Sequence, residues 1–384
     1  MMADVPIEYH GREQTWLKHR VLEEYATGWA MKLGSFAERL WYVDCFAGPW
    51  RSENVERKDT SVYRGIEALK AARATWETRD KRAATLALGA IFVERSPAAY
   101  ADLVEFLAPH KSDIQIHAFN GEFAEHAAEI DRLVGPDPAF LFVDPTGWKG
   151  ADMDVIAKVV SHGKRDVLVN VMSSFLVRQK DRDEDFLREQ MRQFLGLGDE
   201  ELAPGLTEEE LLALYRERFK LRTGLRHVAD LIVMHPEQDR TYFRLVVGGQ
   251  HPAVLKLFRG IEERVAGREQ AAVRAGANQR AREARRPNQM SLLAPVPPAA
   301  DAEYVDLRER GLAMLPDEIV QRLGRGAPEF KAVWPRILER HHVTHADVAR
   351  SVRDLVAKGR VVMENADGKR LLAEGSRLRL APSK

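Results

Sequence analysis

Cysteine is almost absent from this sequence of 384 residues, which contains Cys45 alone. A single thiol excludes an internal disulfide and any zinc site built on cysteines. The glycine-rich patterns G-x-G-x-x-G and G-x-x-x-x-G-K-[ST] are also missing, and the absence of the second disfavours a Walker-type ATPase. The twelve histidines never form H-E-x-x-H, so we predict no metal.

Long apolar runs are missing too. No run reaches the roughly eighteen residues that a membrane helix needs, and Met1 to His10 lacks a signal-peptide core. We therefore predict a cytosolic protein without membrane association. The formal net charge is zero, yet the chain from Ile261 onward carries 23 Lys and Arg against 17 Asp and Glu. This basic excess indicates an anionic partner for that part of the chain.

An apolar segment ends in Asp44 and bends into the small loop Cys45-Phe46-Ala47-Gly48-Pro49. Ligands of open α/β sheets bind at the carboxyl ends of parallel strands, where glycine lets the backbone approach them. The pattern resembles the D-x-F-x-G opening of S-adenosylmethionine (SAM) dependent methyltransferases, which implies cofactor contacts from Asp44, Phe46, Ala47 and Gly48. We predict that Cys45 is a packed small residue rather than a nucleophile.

Three further apolar runs end in polar residues, and they fit the same interpretation. Glu94 would accept hydrogen bonds from two ribose hydroxyls, Asn120 would read an adenine edge, and Asp144 would supply a second strand-end carboxylate. Taken singly, Glu94 could be a surface ion pair and Asn120 a turn former. Taken in this order, the four strand ends predict a SAM site at which Asp44 and Glu94 converge on one adenosyl ligand.

The segment Asp144-Pro145-Thr146-Gly147-Trp148 resembles the (D/N)-P-P-(aromatic) segment of enzymes that methylate an exocyclic amine. In those enzymes the carboxylate and a proline carbonyl accept hydrogen bonds from the amine, so that catalysis is mainly positioning. The second proline is missing here and the aromatic residue is displaced by one position. Asp144, Pro145 and Trp148 are our catalytic candidates, and Trp148 either stacks on a base or caps the core.

The chain is long enough for two domains. We predict a Rossmann-like α/β methyltransferase sheet, mostly parallel with a closing antiparallel pair. That domain would span residues 1–265, with a helical insertion at about 181–222 that is either a lid or a solvated helical pair. A basic helix and a Pro-rich linker follow at 266–300. The basic helix either contacts nucleic acid or is a solvated face.

Residues 301–384 show two helices and a predicted hairpin, a winged-helix pattern. Thr344 is the expected N-cap of the second helix, and the hairpin would pair Val361-Val362-Met363 with Leu371-Leu372. Such modules bind nucleic acid or dock proteins, and both alternatives stay open. The cations expected to meet phosphate are Arg350, Arg353, Lys358, Arg360, Lys369 and Arg370.

The segments Y-V-D-C-F-A-G-P, F-V-E-R, V-D-P-T-G and L-V-N, with Thr241 to Leu245 leading to His251-Pro252, together resemble the bacterial three-Cys-motif partner protein family, TcmP. The resemblance spans Trp16 to about Arg264. It implies a methyltransferase-like SAM fold, a cofactor site at Asp44, Gly48, Glu94 and Asp144, and a radical-SAM-like partner that bears three cysteines.

We therefore expect a SAM-dependent methyltransferase that acts on nucleic acid or on a target presented by the three-cysteine partner. The alternative is a non-catalytic adaptor with a methyltransferase shape that binds nucleic acid or its partner protein. The sequence leaves the methyl acceptor and the oligomeric state open.

Overall fold

The computed structural model describes residues 5–48, 56–79, 86–179, 185–198, 205–285, 298–324, 326, 329–365 and 371–382. Within these ranges, seven strands form one sheet and two more form a separate antiparallel pair. The strands of the large sheet are β1 (Arg39–Asp44), β2 (Ala87–Glu94), β3 (Gln115–Asn120), β4 (Ala139–Val143), β5 (Arg165–Val171), β6 (His227–Met234) and β7 (Thr241–Gly249).

The large sheet has the order β3-β2-β1-β4-β5-β7-β6. The first five strands are parallel, and β7 runs antiparallel to both β5 and β6. Successive strands extend the sheet to one side of β1 as far as β3 and to the other side from β4 onward, so the switch point where open α/β sheets bind ligands lies between β1 and β4. This mostly parallel sheet with a closing antiparallel pair fits the predicted Rossmann-like methyltransferase fold.

Helices cover both faces of the sheet, because each strand alternates its apolar side chains between them. One face packs against α1 (Glu13–Leu33), α2 (Ser61–Arg79), α3 (Pro97–Leu107) and α9 (Ala253–Glu262). The other face packs against α4 (Phe123–Val134), α5 (Met153–Val160), α6 (Ser173–Gln179), α7 (Asp185–Leu195) and α8 (Glu208–Thr223).

The helical block predicted at 181–222 appears as α7 and α8 in its described part. Its apolar side chains are buried in the core, among them Phe194, Leu212, Tyr215 and Phe219. The prediction of a solvated helical pair is therefore wrong, because this block covers one face of the sheet.

The helical run that begins with α9 at Ala253 does not stop at residue 265, the predicted end of the first domain. A π-helical segment (Glu263–Glu269) follows α9 directly, and α10 (Gln270–Arg285) continues it. The predicted basic helix is thus the last part of one long helical run. Among the described residues, none of the helices is both long and apolar enough to cross a membrane.

The C-terminal module (residues 302–380) contains α11 (Ala302–Leu323), α12 (Phe330–Arg340), α13 (His345–Ala357) and the pair β8 (Val361–Glu364) and β9 (Arg377–Leu380). Thr344 caps α13 as predicted, in a reciprocal pair of hydrogen bonds with Asp347. Helix α12 packs against β6 of the large sheet and against helix α9. The order of three helices and an antiparallel pair agrees with the winged-helix prediction, which itself stays a prediction.

The second strand of the hairpin is not where the sequence indicated. Leu371 and Leu372 form no strand, and Leu371 is 77% exposed. A turn closed by the amide of Ser376 on the carbonyl of Ala373 delays the strand, and Leu378 supplies the buried apolar residue instead. The predicted turn at Asp367-Gly368 lies outside the described residues.

Candidate functional site

The loop that follows β1 is tied to both neighbouring strands. The Cys45 amide donates to the Phe142 carbonyl at 2.9 Å, and the Ala47 amide donates to the Val93 carbonyl at 2.8 Å. Cys45 is buried, and burial raises the pKa of its thiol well above the ordinary value. The thiol is therefore neutral, which favours the predicted packing role over a nucleophilic one.

Asp44 lies behind this loop, with its side chain fully buried. One carboxyl oxygen accepts the Phe46 amide at 3.2 Å, and the other accepts the Tyr42 hydroxyl at 3.4 Å. Burial raises the pKa of Asp44 to about 7, and the charge of Asp144 adds to the rise. These contacts place the Asp44 carboxyl behind the loop, where it holds the Phe46 amide, and its predicted cofactor contact stays a prediction.

Glu94 and Gly48 form the tightest part of the site. One Glu94 oxygen, Oε1, accepts the Ser96 amide at 2.5 Å. A Cβ added at Gly48 would stand only 2.1 Å from the other, Oε2. Glycine at position 48 is therefore what allows the loop to pass over the Glu94 carboxylate.

Asn120 supports the end of β2 rather than the cavity. Its amide NH₂ donates to the Glu94 carbonyl at 2.8 Å and to the Arg95 carbonyl at 3.2 Å. The neighbouring Gly121 amide donates to the same Glu94 carbonyl at 3.1 Å. The NH₂ group of Asn120 is therefore engaged with the backbone, and its adenine-reading role stays a prediction.

Asp144 stands at the end of β4 with both carboxylate oxygens engaged. Oδ2 accepts the Lys18 ammonium at 2.5 Å, and Oδ1 accepts the Asn170 amide at 2.7 Å. Lys18 comes from α1, so the pair joins residues that are far apart in the sequence. The carboxylate lies at the cavity wall and is partly buried.

The other two catalytic candidates face the core. Trp148 is 4% exposed and packs its ring against Phe175, with 4.9 Å between the centroids. Pro145 is buried as well. Neither residue lines the cavity. Of the two alternatives for Trp148, this burial supports the core cap and corrects the base-stacking role.

A cavity of about 370 Å³ opens at the carboxyl ends of the parallel strands, a size typical of small-molecule sites. Four of the seven predicted cofactor residues line it, namely Phe46, Gly48, Glu94 and Asp144. Ala47 is buried in the loop and does not line it. Lining residues that the sequence did not single out as site residues are Gly121, Phe123, Thr146, Lys149 and Gly150.

Lys18 also escaped the sequence analysis. It lies within an amphipathic helix and shares no local pattern with Asp144. Only the packing of α1 against the sheet brings the two together, so no sequence signal could have found the pair.

The cations predicted to meet nucleic acid are exposed in the C-terminal module. Arg350 and Arg353 lie on α13, and Lys358 and Arg360 follow that helix. Arg350 is 3.5 Å from Asp347 and Arg360 is 3.8 Å from Asp317, so two of the four have acidic neighbours. The other two candidates, Lys369 and Arg370, lie outside the described residues.

No protein-family model matches this chain, and no curated protein matches it either. Membership of the TcmP family therefore stays a prediction.

Several solved structures are similar to it. The O-methyltransferase TomG from Streptomyces achromogenes, in complex with SAM, is 10% identical over 60% of this chain and 79% of that chain, with a TM-score of 0.32. The SAH-bound methyltransferase PaMTH1 from Podospora anserina is 11% identical over 65% of this chain and 100% of that chain, with a TM-score of 0.28. Protein LPL1258 from Legionella pneumophila is 13% identical over 64% of this chain and 91% of that chain, with a TM-score of 0.34. These values carry no argument about function, and the fold assignment rests on strand order.

Proposed function

We propose that the cavity binds S-adenosylmethionine and that the chain is a SAM-dependent methyltransferase. One observation carries the proposal: Gly48 passes over the Glu94 carboxylate at the switch point of a mostly parallel sheet. A buried carboxylate at the wall of such a cavity suits a ligand with two adjacent hydroxyls. The glycine leaves room for that ligand beside the carboxylate.

The remaining lining residues fit the other parts of the cofactor. Val93 and Phe123 offer apolar contacts for an adenine ring. Thr146 and Asp144 offer polar groups for the methionine end. When bound, SAM supplies an activated methyl group. The contribution of the protein is then to position an acceptor and to exclude water.

Asp144 is the residue that we propose to position the acceptor. Its carboxylate accepts hydrogen bonds and lies at the cavity wall, where an amine or hydroxyl could replace Lys18 as the donor. The Asn170 contact would keep the carboxylate oriented during that exchange. We further propose nucleic acid, or a target presented by a three-cysteine partner protein, as the source of the acceptor. Exposed Arg350, Arg353, Lys358 and Arg360 support the first.

Isothermal titration with SAM tests the cofactor assignment. We expect saturable heat with the wild-type chain and an affinity roughly ten- to a hundredfold lower with Glu94→Gln, because the neutral amide loses charge-assisted hydrogen bonds. The exposed Glu105→Gln on α3 is the matched control and should bind like the wild type. Absence of heat at millimolar SAM would remove the basis of the proposal.

A non-catalytic adaptor is the second candidate, and one observation favours it. Lys18 and Asn170 each donate to one oxygen of Asp144, so the carboxylate is already held by the protein, and an acceptor would have to share an oxygen with one of these donors or displace it. Transfer of label from [methyl-³H]SAM to DNA, RNA or protein fractions separates the two candidates. An enzyme should label one fraction and lose that labelling with Asp144→Ala. An adaptor should bind those fractions without labelling any of them, with or without the substitution.

A further inference from the structure

A second cavity, of about 590 Å³, opens at the opposite end of the sheet from the candidate cofactor site. It lies where β5 begins, between the C-terminal half of α1 and the N-terminal half of α9. Its wall is mostly apolar and includes Trp29, Leu33, Phe36, Val254 and Leu257. A concave, largely apolar site of this size is typical of small-molecule binding.

The wall of this cavity contains a hydrogen-bond donor without a partner. The Trp29 side chain is 4% exposed, and its Nε1–H finds no acceptor among the described residues. Buried indole N–H groups usually have one, because an unmade hydrogen bond costs free energy. This N–H is covered by neighbouring atoms, so Trp29 contributes the apolar surface of its ring to the wall rather than an accessible donor.

The charges around the opening are of one sign. Lys32, Lys164 and Lys256 line the cavity and are all exposed, and none of them forms an ion pair with a described carboxylate. Lys164 lies over the Phe36 ring, with 5.3 Å between Nζ and the centroid. Three cations around one opening attract an anionic group.

One carboxyl group belongs to the same cavity. Asp166 accepts the Tyr25 hydroxyl at 2.8 Å, so this carboxyl already has a donor from the protein. Burial raises the pKa of Asp166 to about 7, against the lowering effects of Tyr25 and Lys32. Asp166 is therefore only partly ionised near neutral pH, and the three lysines outnumber this single carboxyl around the cavity.

We propose that this second cavity is a binding site for a small amphipathic anion, with an apolar, ring-sized body inside and its anionic group at Lys32, Lys164 and Lys256. The apolar wall selects the body, and the three lysines select the charge. This site is separate from the candidate cofactor site, and its assignment does not depend on methyl transfer.

A pair of fluorescent dyes tests the proposal on the full chain. 8-Anilinonaphthalene-1-sulfonate carries an apolar body and an anionic group, and N-phenyl-1-naphthylamine has the same body without the charge. Replacing Lys32, Lys164 and Lys256 together by Gln should lower the affinity for the anionic dye roughly tenfold and leave the affinity for the neutral dye nearly unchanged. These side chains are exposed, so the fold should persist. Equal weakening of both dyes, or no weakening of the anionic one, would overturn the proposal.

Three controls fix the location. Replacing the exposed Lys111, Lys158 and Lys331 by Gln changes net charge equally, and it should leave the anionic dye bound as in the wild type. Ala253→Leu fills part of the cavity and should weaken both dyes. Excess S-adenosylhomocysteine should leave the dyes in place. Complete displacement by it would show that they bind in the cofactor cavity, against the proposal.

Discussion

Gly48 illustrates how much a single residue controls at this site. A side chain there would enter the space of the Glu94 carboxylate, and the loop on which Gly48 lies is tied to β2 and β4. The loop cannot retreat without breaking those hydrogen bonds. The carboxylate would therefore have to move, and Glu94 would lose its alignment with the cavity.

Gly48→Ala should accordingly lower the affinity for SAM by about 1–3 kcal/mol, the usual cost of inserting a methyl group into a packed site. Titration calorimetry of the variant measures this loss. Gly375→Ala is the matched control, because a Cβ there meets nothing within 4 Å. Unchanged affinity in the Gly48 variant would show that the carboxylate is not part of the binding site.

The raised pKa of Asp44 should make the stability of the protein depend on pH. Its pKa rises from 3.8 to about 7 on burial, so between these values the unfolded chain is ionised while the folded chain holds the proton. The free energy of unfolding therefore falls as pH rises through this window, by up to about 1.4 kcal/mol per unit. Asp44→Asn has no proton to lose, so its free energy of unfolding relative to the wild type should increase as the pH rises from 4 to 7.

Urea unfolding at several pH values measures this difference. The exposed Asp102→Asn removes a carboxyl group at the surface and serves as the control, with no comparable trend. A constant difference between Asp44→Asn and the wild type across the window would mean that Asp44 is ionised when buried.

The residue scale also shows what sequence can reveal about the site. Glu94 and Asp144 were found because each follows an apolar strand, and strand ends meet at one edge of the sheet. Asp44 obeys the same rule, yet its side chain turns behind the loop. Strand position therefore predicts the edge of the sheet but not the direction in which a side chain points.

At the scale of elements, apolar runs identified the ends of β1 to β4, and the sequence predicted the closing antiparallel pair of the large sheet. Helix α11 escaped the prediction, although its N-cap Asp301 is a favourable capping residue. The π-helical segment Glu263–Glu269 carried no recognisable signal either. There Gly267 lies against the Tyr304 ring, and its carbonyl accepts the Asp301 amide at 2.7 Å. Such contacts come from tertiary packing, which periodicity does not encode.

Arg259 on α9 is buried, and its substitution should have a large effect on the free energy of unfolding. Arg259 donates to the carbonyls of Leu338 and Asp230, both at 2.8 Å, and to the Glu262 carboxylate at 2.6 Å. Glu262 also meets His342 at 2.5 Å. Removing the guanidinium would leave a buried carboxylate with incomplete compensation.

Arg259→Met should therefore lower the free energy of unfolding by about 3–5 kcal/mol. Arg264→Met on the same helical run is the control. Arg264 is half exposed and its ion pair with Glu24 lies near the surface, so we expect a change below about 1 kcal/mol. Equal effects in urea titrations of the two variants would show that the buried network contributes little.

The whole molecule joins two parts that the sequence suggested were separate domains. A composition change at the Pro-rich stretch indicated a linker, and composition cannot reveal whether the parts on either side dock. In the structure, Glu339 of α12 pairs with Lys220 at 2.7 Å and with His227 at 3.2 Å, beside the network around Arg259. These buried contacts cross between the C-terminal module and the large sheet.

A protease site inserted between Asn288 and Gln289 tests this docking on the intact protein. After cleavage, the two fragments should elute together from a size-exclusion column at micromolar concentration, because one apolar cluster includes Phe258 on one side and Ile337 and Leu338 on the other, and separation would expose it to water. With Arg259→Met the cleaved fragments should separate at the same concentration, whereas with Arg264→Met they should stay together. Separation of the wild-type fragments would contradict this prediction and would mean that the C-terminal module moves independently of the candidate site.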